Sequence, residues 1–140
     1  MTQQLKYEDV KEGMELPPLV KETSSRMSAK WAGASGDYDP IHYDRSYALS
    51  QKLPDIIVNG RLKIALLSQL MTNWIGPQGF LKKVGASHRG MDIINDPVTC
   101  KGVVTKKYLD NGQHVVECKI WIENKKGEVT APGSATVILP

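Results

Sequence analysis

Three things are scarce in this chain: cysteine, long apolar runs and charge of one sign. Its two cysteines, Cys100 and Cys118, have no metal-type spacing and cannot form a disulfide framework. They read as buried strand thiols of a reducing compartment, although a single bridge between them stays open. No apolar run approaches the length of a membrane span. The opening MTQQLKYEDV also lacks the charged-then-apolar layout of a secretory signal, so the expectation is a cytoplasmic protein with no membrane partner. Eighteen Lys and Arg stand against 15 Asp and Glu, a net charge of only +3. The basic residues are scattered singly and in pairs (Lys82-Lys83, Lys106-Lys107, Lys125-Lys126), without the stacking aromatics of a nucleic-acid platform. Nucleic acid is therefore not an expected partner. Repeats, linkers and low-complexity tracts are missing too, so residues 1–140 read as one domain with one core.

What is present is concentrated between residues 31 and 48, WAGASGDYDPIHYDRSYA. Asp37 and His42 lie five positions apart there, with Pro40 between them. On an unbroken helix that spacing turns two side chains about 140° apart. Pro40 forbids the helix and pushes Asp39 towards an extended conformation. Gly36 supplies a permissive backbone ahead of the acid. An irregular loop can thus aim a carboxylate and an imidazole at one point, a geometry for handling one water and its protons. Two other readings compete. GD-x-D-P is common turn chemistry, and Asp37, Asp39, His42 and Asp44 are each possible metal ligands. No glycine-spaced calcium loop and no second His or Cys cluster completes a metal shell, so no metal is expected.

The rest of the chain reads as α+β. A polar lead-in with a short helical turn closes at Gly13, and Leu16 to Glu22 is a first strand confined to an edge by Pro17 and Pro18. Thr23, Ser24 and Ser25 offer N-caps to a helix with Met27 and Trp31 on one side. Asp44 caps a second short helix running to Ser50. After an extended stretch, Leu53 to Val58, Asn59-Gly60 opens a long helix with Leu62, Ala65, Leu66, Leu70 and Trp74 at three- and four-residue spacing. Ile64, Leu67 and Met71 widen that face into a mostly buried helix, which stops near Gly76-Pro77. Phe80 to Met91 reads as one strand. Val98 to Leu109 and His114 to Glu123 flank Asp110-Asn111-Gly112, a strong hairpin signal. Val116, Cys118, Ile120 and Ile122 alternate inward, a turn follows at Lys125 to Glu128, and Val129 to Leu139 closes the sheet. A buried helix and antiparallel strands must pack helix on sheet.

The loop resembles the signature of the MaoC-like, or type 2, enoyl-CoA hydratases. Ser35, Gly36, Asp37, Pro40, Ile41, His42, Asp44, Tyr47 and Ala48 fall on that pattern in register. IIVNGRLKIALLSQL is similar to a second segment of the family, an oxyanion glycine followed by an apolar helix with a serine. The resemblance implies a hot-dog fold, in which the sheet wraps the long central helix. It also implies water addition to a trans-2-enoyl-CoA, or dehydration of the (R)-3-hydroxyacyl thioester, with Asp37 and His42 as the catalytic pair.

Gly60 falls on the oxyanion glycine, at a helix N-terminus whose free N–H groups favour developing negative charge. Ser68 falls on a serine that supports the catalytic Asp in some members; a bond to its own helix backbone is the alternative. Coenzyme A enters as part of the substrate, with no separate cofactor. Its phosphates, or those of an acyl carrier protein, would suit His88 and Arg89. Members pair into homodimers or higher oligomers, and a heteromer is compatible. Three positions depart from the pattern: Asp39 stands for Asn, Asn59 for His, and Arg61 for an apolar residue. Asn59 or Arg61 is expected to contact a polar acyl group, unless Arg61 simply faces solvent. An acyl-CoA thioesterase and an acyl-binding subunit of a hetero-oligomeric hydratase remain the alternative functions.

Overall fold

Asn111-Gly112 sets the register of the sheet. Both residues take left-handed φ, 49° and 78°, as a two-residue hairpin of the primed type requires. The turn joins β3 (Val98–Asp110) to β4 (Gln113–Glu123), and a tight turn through Gly127 returns the chain as β5 (Val129–Leu139). β1 (Leu19–Lys21) and β2 (Phe80–Ala86) form the edges of an antiparallel sheet in the order β1-β3-β4-β5-β2. This is the computed structural model of the chain, and it describes residues 3–140.

Two expected strands are shorter than anticipated. β1 keeps its edge position but begins only after Pro17 and Pro18, which have no N–H to give a ladder. The strand expected over Phe80 to Met91 stops at Ala86. Ser87 still donates to the carbonyl of Pro132 at 2.8 Å, but Pro132 has no N–H to return, so the ladder ends there. Beyond it the regular pairing lapses, although the Arg89 N–H still donates to the Thr130 carbonyl of β5.

Val116, Cys118, Ile120 and Ile122 are all buried, as their alternation predicts. α3 (Gly60–Ile75) lies on that face, touching β2, β3, β4 and β5 and burying Leu62, Leu66, Leu67, Leu70, Met71 and Ile75. Each such side chain contributes about 1.5–3 kcal/mol when fully buried, so this row dominates the attachment of helix to sheet. Trp74 sits at the margin of the face, half-buried. A helix held on a curled antiparallel sheet is the hot-dog arrangement.

Lys63 is the exception within the buried face. Its side chain is 2% exposed and its Nζ lies 2.8 Å from Asp92, whose side chain is 1% exposed. Buried thiols complete the core: Cys100 and Cys118 are unbridged, and burial pushes both pKa values up to about 12. Among the described residues no helix is long and apolar enough to cross a membrane.

Candidate active site

The loop from 36 to 44 is built from local caps. α1 (Ser25–Ser35) begins at Ser24, whose side chain accepts from the N–H of Met27, and ends at Gly36 in the left-handed region, φ 75°. Asp39 is extended, as the following proline demands, and its carboxylate accepts from the N–H of Ile41, capping a 3₁₀ turn over Pro40–His42. Asp44 then caps α2 (Arg45–Ser50) by accepting from Tyr47 N–H at 3.1 Å. The Tyr43 hydroxyl donates to the Tyr38 carbonyl at 3.0 Å and staples the bend. Asp39 therefore has a structural employment here that asparagine could equally fill.

His42 is fixed by the stretch that precedes α3. Ile57 donates its N–H to the carbonyl of Ile41, and its own carbonyl lies 2.9 Å from His42 Nδ1. A carbonyl only accepts, so Nδ1 is the donor in this bond, and Nε2 is the ring nitrogen left for a water or substrate. Residues 56–58 are themselves held by Asp92 and Ile94: Val58 N–H donates to the Asp92 carbonyl and Ile94 N–H to that of Ile56.

Asp37 is tied to the start of α3. Asn59 Nδ2 donates to Asp37 Oδ2 at 2.8 Å, and the N–H of Asp39 donates to Oδ1 at 3.2 Å. These two bonds, Asn59 first, hold the carboxyl below its ordinary value, and the nearby His42 and Arg61 charges pull the same way. Asp37 is therefore a carboxylate at neutral pH. Both side chains are partly exposed.

Asn59 does a second job with its other atom. Its Oδ1 accepts from the N–H groups of Arg61, at 2.8 Å, and Leu62, at 3.4 Å, while its backbone carbonyl takes that of Lys63. Of the first four N–H groups of α3, only that of Gly60 has no acceptor among the described residues. One donor, at the positive end of a 16-residue helix, is thus left open beside the Asp37–His42 loop.

The MaoC like domain family matches residues 9–125 of this sequence. The chain belongs to the MaoC-like hydratase/dehydratase family. It is 31% identical over 93 residues to the 3-oxo-4,17-pregnadiene-20-carboxyl-CoA hydratase beta subunit of Mycobacterium tuberculosis, covering 66% of this chain and 72% of that one. Among solved structures, a chain of the ChsH1–ChsH2 complex from the same organism superposes with a TM-score of 0.82 at 25% identity, over 94% of this chain and 99% of its own. The (R)-hydratase of A. caviae involved in PHA biosynthesis gives 0.85 at 25% identity, over 94% and 98%.

Set against this MaoC-like frame, the expected site residues divide. Asp37, His42, Asn59 and Gly60 come together. Asn59 is turned inward: it is 5% exposed, and both ends of its amide bond Asp37 and the helix. Arg61 is exposed in the first turn, close enough to draw the Asp37 carboxyl down. Ser68 donates to the carbonyl of Ile64 at 2.9 Å, one turn back in its own helix, and is not joined to Asp37. Arg89 is exposed, with its N–H on the Thr130 carbonyl at 2.9 Å.

Reading the sequence missed the placement of His88. A β-carbon added to Gly60 would lie 2.8 Å from its Nε2 and 2.9 Å from its Cε1, so the imidazole rests on the Gly60 α-carbon. No local signal announces a contact between segments so far apart in the chain.

Two open clefts lie against α1. One, of about 560 Å³, is lined by Arg26, Met27, Lys30, Trp31 and Leu62 of the first α3 turn. The other, of about 510 Å³, is lined by Arg26, Ala29, Ala32, Tyr38 and Tyr43.

Proposed function

We propose that this chain hydrates a trans-2-enoyl thioester of coenzyme A, or runs the reverse dehydration, with Asp37 and His42 sharing one water. The observation that carries the reading is the pairing of an oriented His42 ring with an anchored Asp37 carboxylate beside the one open N–H of α3. In the hydration direction the water oxygen bonds to C3 of the enoyl group while its proton passes to the Asp37–His42 pair. The electron pair of the double bond moves onto the thioester oxygen. That developing negative charge meets the Gly60 N–H, an interaction of the kind worth roughly 3–4 kcal/mol to a transition state. Collapse of the enolate then takes a proton from the pair at C2, so the pair ends as it began. General acid–base help of this sort contributes about 10²–10⁴-fold.

The substrate class follows the relatives. One is the beta subunit of a carboxyl-CoA hydratase, and the other is an (R)-hydratase. The clefts beside α1 leave room for a thioester arm, and Arg26 and Lys30 offer charge for phosphates. Incubation with trans-2-enoyl-CoAs of increasing length, following enoyl-thioester absorbance beside free-thiol release, tests this directly. Absorbance loss without thiol release is the expected result. Thiol release would make the chain an acyl-CoA thioesterase, and neither signal across the series would remove the proposal.

A second reading concerns assembly. One relative is a beta subunit and one structural neighbour is a ChsH1–ChsH2 complex. Retention of both Asp37 and His42 would make this chain the active half of such a heteromer, and a homodimer or higher homo-oligomer is the alternative. Light scattering of the purified chain, alone and with a candidate partner, separates the two.

A further inference from the structure

We infer that His88 is a second hydrogen-bond donor to the thioester carbonyl, beside the Gly60 N–H; this rests on the thioester reading above. His88 stands just past the end of β2, and its segment is still tied to β5. Ser87 N–H donates to the Pro132 carbonyl at 2.8 Å, and the N–H groups of Arg89 and Gly90 both donate to the Thr130 carbonyl, at 2.9 and 3.0 Å. From the other side, Lys63 Nζ donates to the Gly90 carbonyl at 3.0 Å. Lys63 is in turn locked by Asp92 Oδ2 at 2.8 Å, an oxygen that also accepts from Thr130 Oγ1 at 2.7 Å. A buried ion pair on the central helix thus clamps the segment that carries His88.

The clamp delivers the imidazole to one place. Three of its ring atoms, Nε2, Cε1 and Cδ2, lie within 3.0 Å of where a Gly60 β-carbon would be. Among the described residues the ring makes no hydrogen bond of its own, and the side chain is exposed, so its nitrogens are free for a ligand. An oxygen seated on the Gly60 N–H would have this ring as its neighbour. An enolate oxygen has room for two donors, and α3 offers only one, because Asn59 takes the next three N–H groups. Glycine at position 60 then has two reasons: it exposes its N–H, and it leaves space for the imidazole.

The test compares two probes that differ only in the carbonyl oxygen: butyryl-CoA, which has no double bond to hydrate, and its thioether S-butyl-CoA. Calorimetric affinities of the full chain give a thioester preference for wild type, His88→Ala and His88→Gln. The wild type should favour the thioester. His88→Ala should lose roughly 3- to 10-fold of that preference, the worth of one hydrogen bond, while His88→Gln, which keeps a donor, retains most of it. An unchanged preference in His88→Ala overturns the inference, and so does a wild type that does not distinguish the probes. Hydration of crotonyl-CoA measured alongside keeps the two readings apart. Hydration with an unmoved ratio sinks the role of His88 alone; a His88-dependent ratio without hydration sinks the lyase and leaves the carbonyl contact standing.

Discussion

Replacing Asn59 with serine separates the two jobs of that side chain. Serine is as good an N-cap as asparagine, so the first turn of α3 keeps an acceptor for Arg61 and Leu62 N–H. It is too short to reach Asp37, so the 2.8 Å bond to Oδ2 is lost. The melting temperature should therefore stay within about 2 °C of wild type, whereas Asn59→Ala, which loses the cap as well, should fall by about 3–5 °C for a cost near 1 kcal/mol. The tether reads out elsewhere. Asn59 is the largest influence lowering the Asp37 carboxyl, so its titration, followed by carbon NMR of the side chain, should move up towards the ordinary carboxylate range in Asn59→Ser. The sign for stability follows. A depressed carboxyl stabilises the fold above its unfolded value and loses that contribution as pH falls through the lower folded value, so the variant should lose less stability below about pH 4 than wild type does. Turnover should drop by up to about 10²-fold, because a displaced carboxylate no longer holds the water in line. Unchanged titration and unchanged turnover in Asn59→Ser would refute the claim that Asn59 positions Asp37.

Three further outcomes follow from the same geometry. Lys63→Met should destabilise the fold by about 3–5 kcal/mol in chemical denaturation, because it strands the Asp92 charge, and Lys63→Met/Asp92→Leu should recover most of that loss. Ser68→Ala should change turnover and melting little, since its hydroxyl bonds only its own helix; a tenfold loss of turnover would restore the expected tie to Asp37. With pKa values pushed up to about 12 by burial, Cys100 and Cys118 should resist a thiol reagent at neutral pH until denaturant is added.

What could be read from the sequence was local. Gly36, Asp39, Pro40 and Asp44 act within a few residues of themselves, and the loop they punctuate folds as their chemistry dictates. Asn111-Gly112 fixed a hairpin for the same reason, and the apolar period of α3 marked the buried helix. The early end of β2 is a near miss, because Pro132 interrupts its ladder from another strand. What could not be read was contact between distant segments. Asn59 adjoins Gly60 in sequence and so invites an acyl contact, but its amide turns inward to Asp37. Lys63 stands in an apolar helix and Asp92 in the apolar run MDII, and nothing in either stretch names the other as partner. The meeting of His88 with Gly60 exists only once β5 and the buried ion pair have set the intervening segment.

The central claim is that Asp37 and His42 act as one unit on one water. A double-mutant cycle on enoyl-CoA hydration tests it most directly, with kcat/KM measured for Asp37→Asn, His42→Ala and the combined variant. Each single change should cost at least about 10²-fold, and the combination little more than the worse of the two, because a shared water is lost only once. Losses that multiply in full, or a single variant that keeps wild-type activity, would contradict the account.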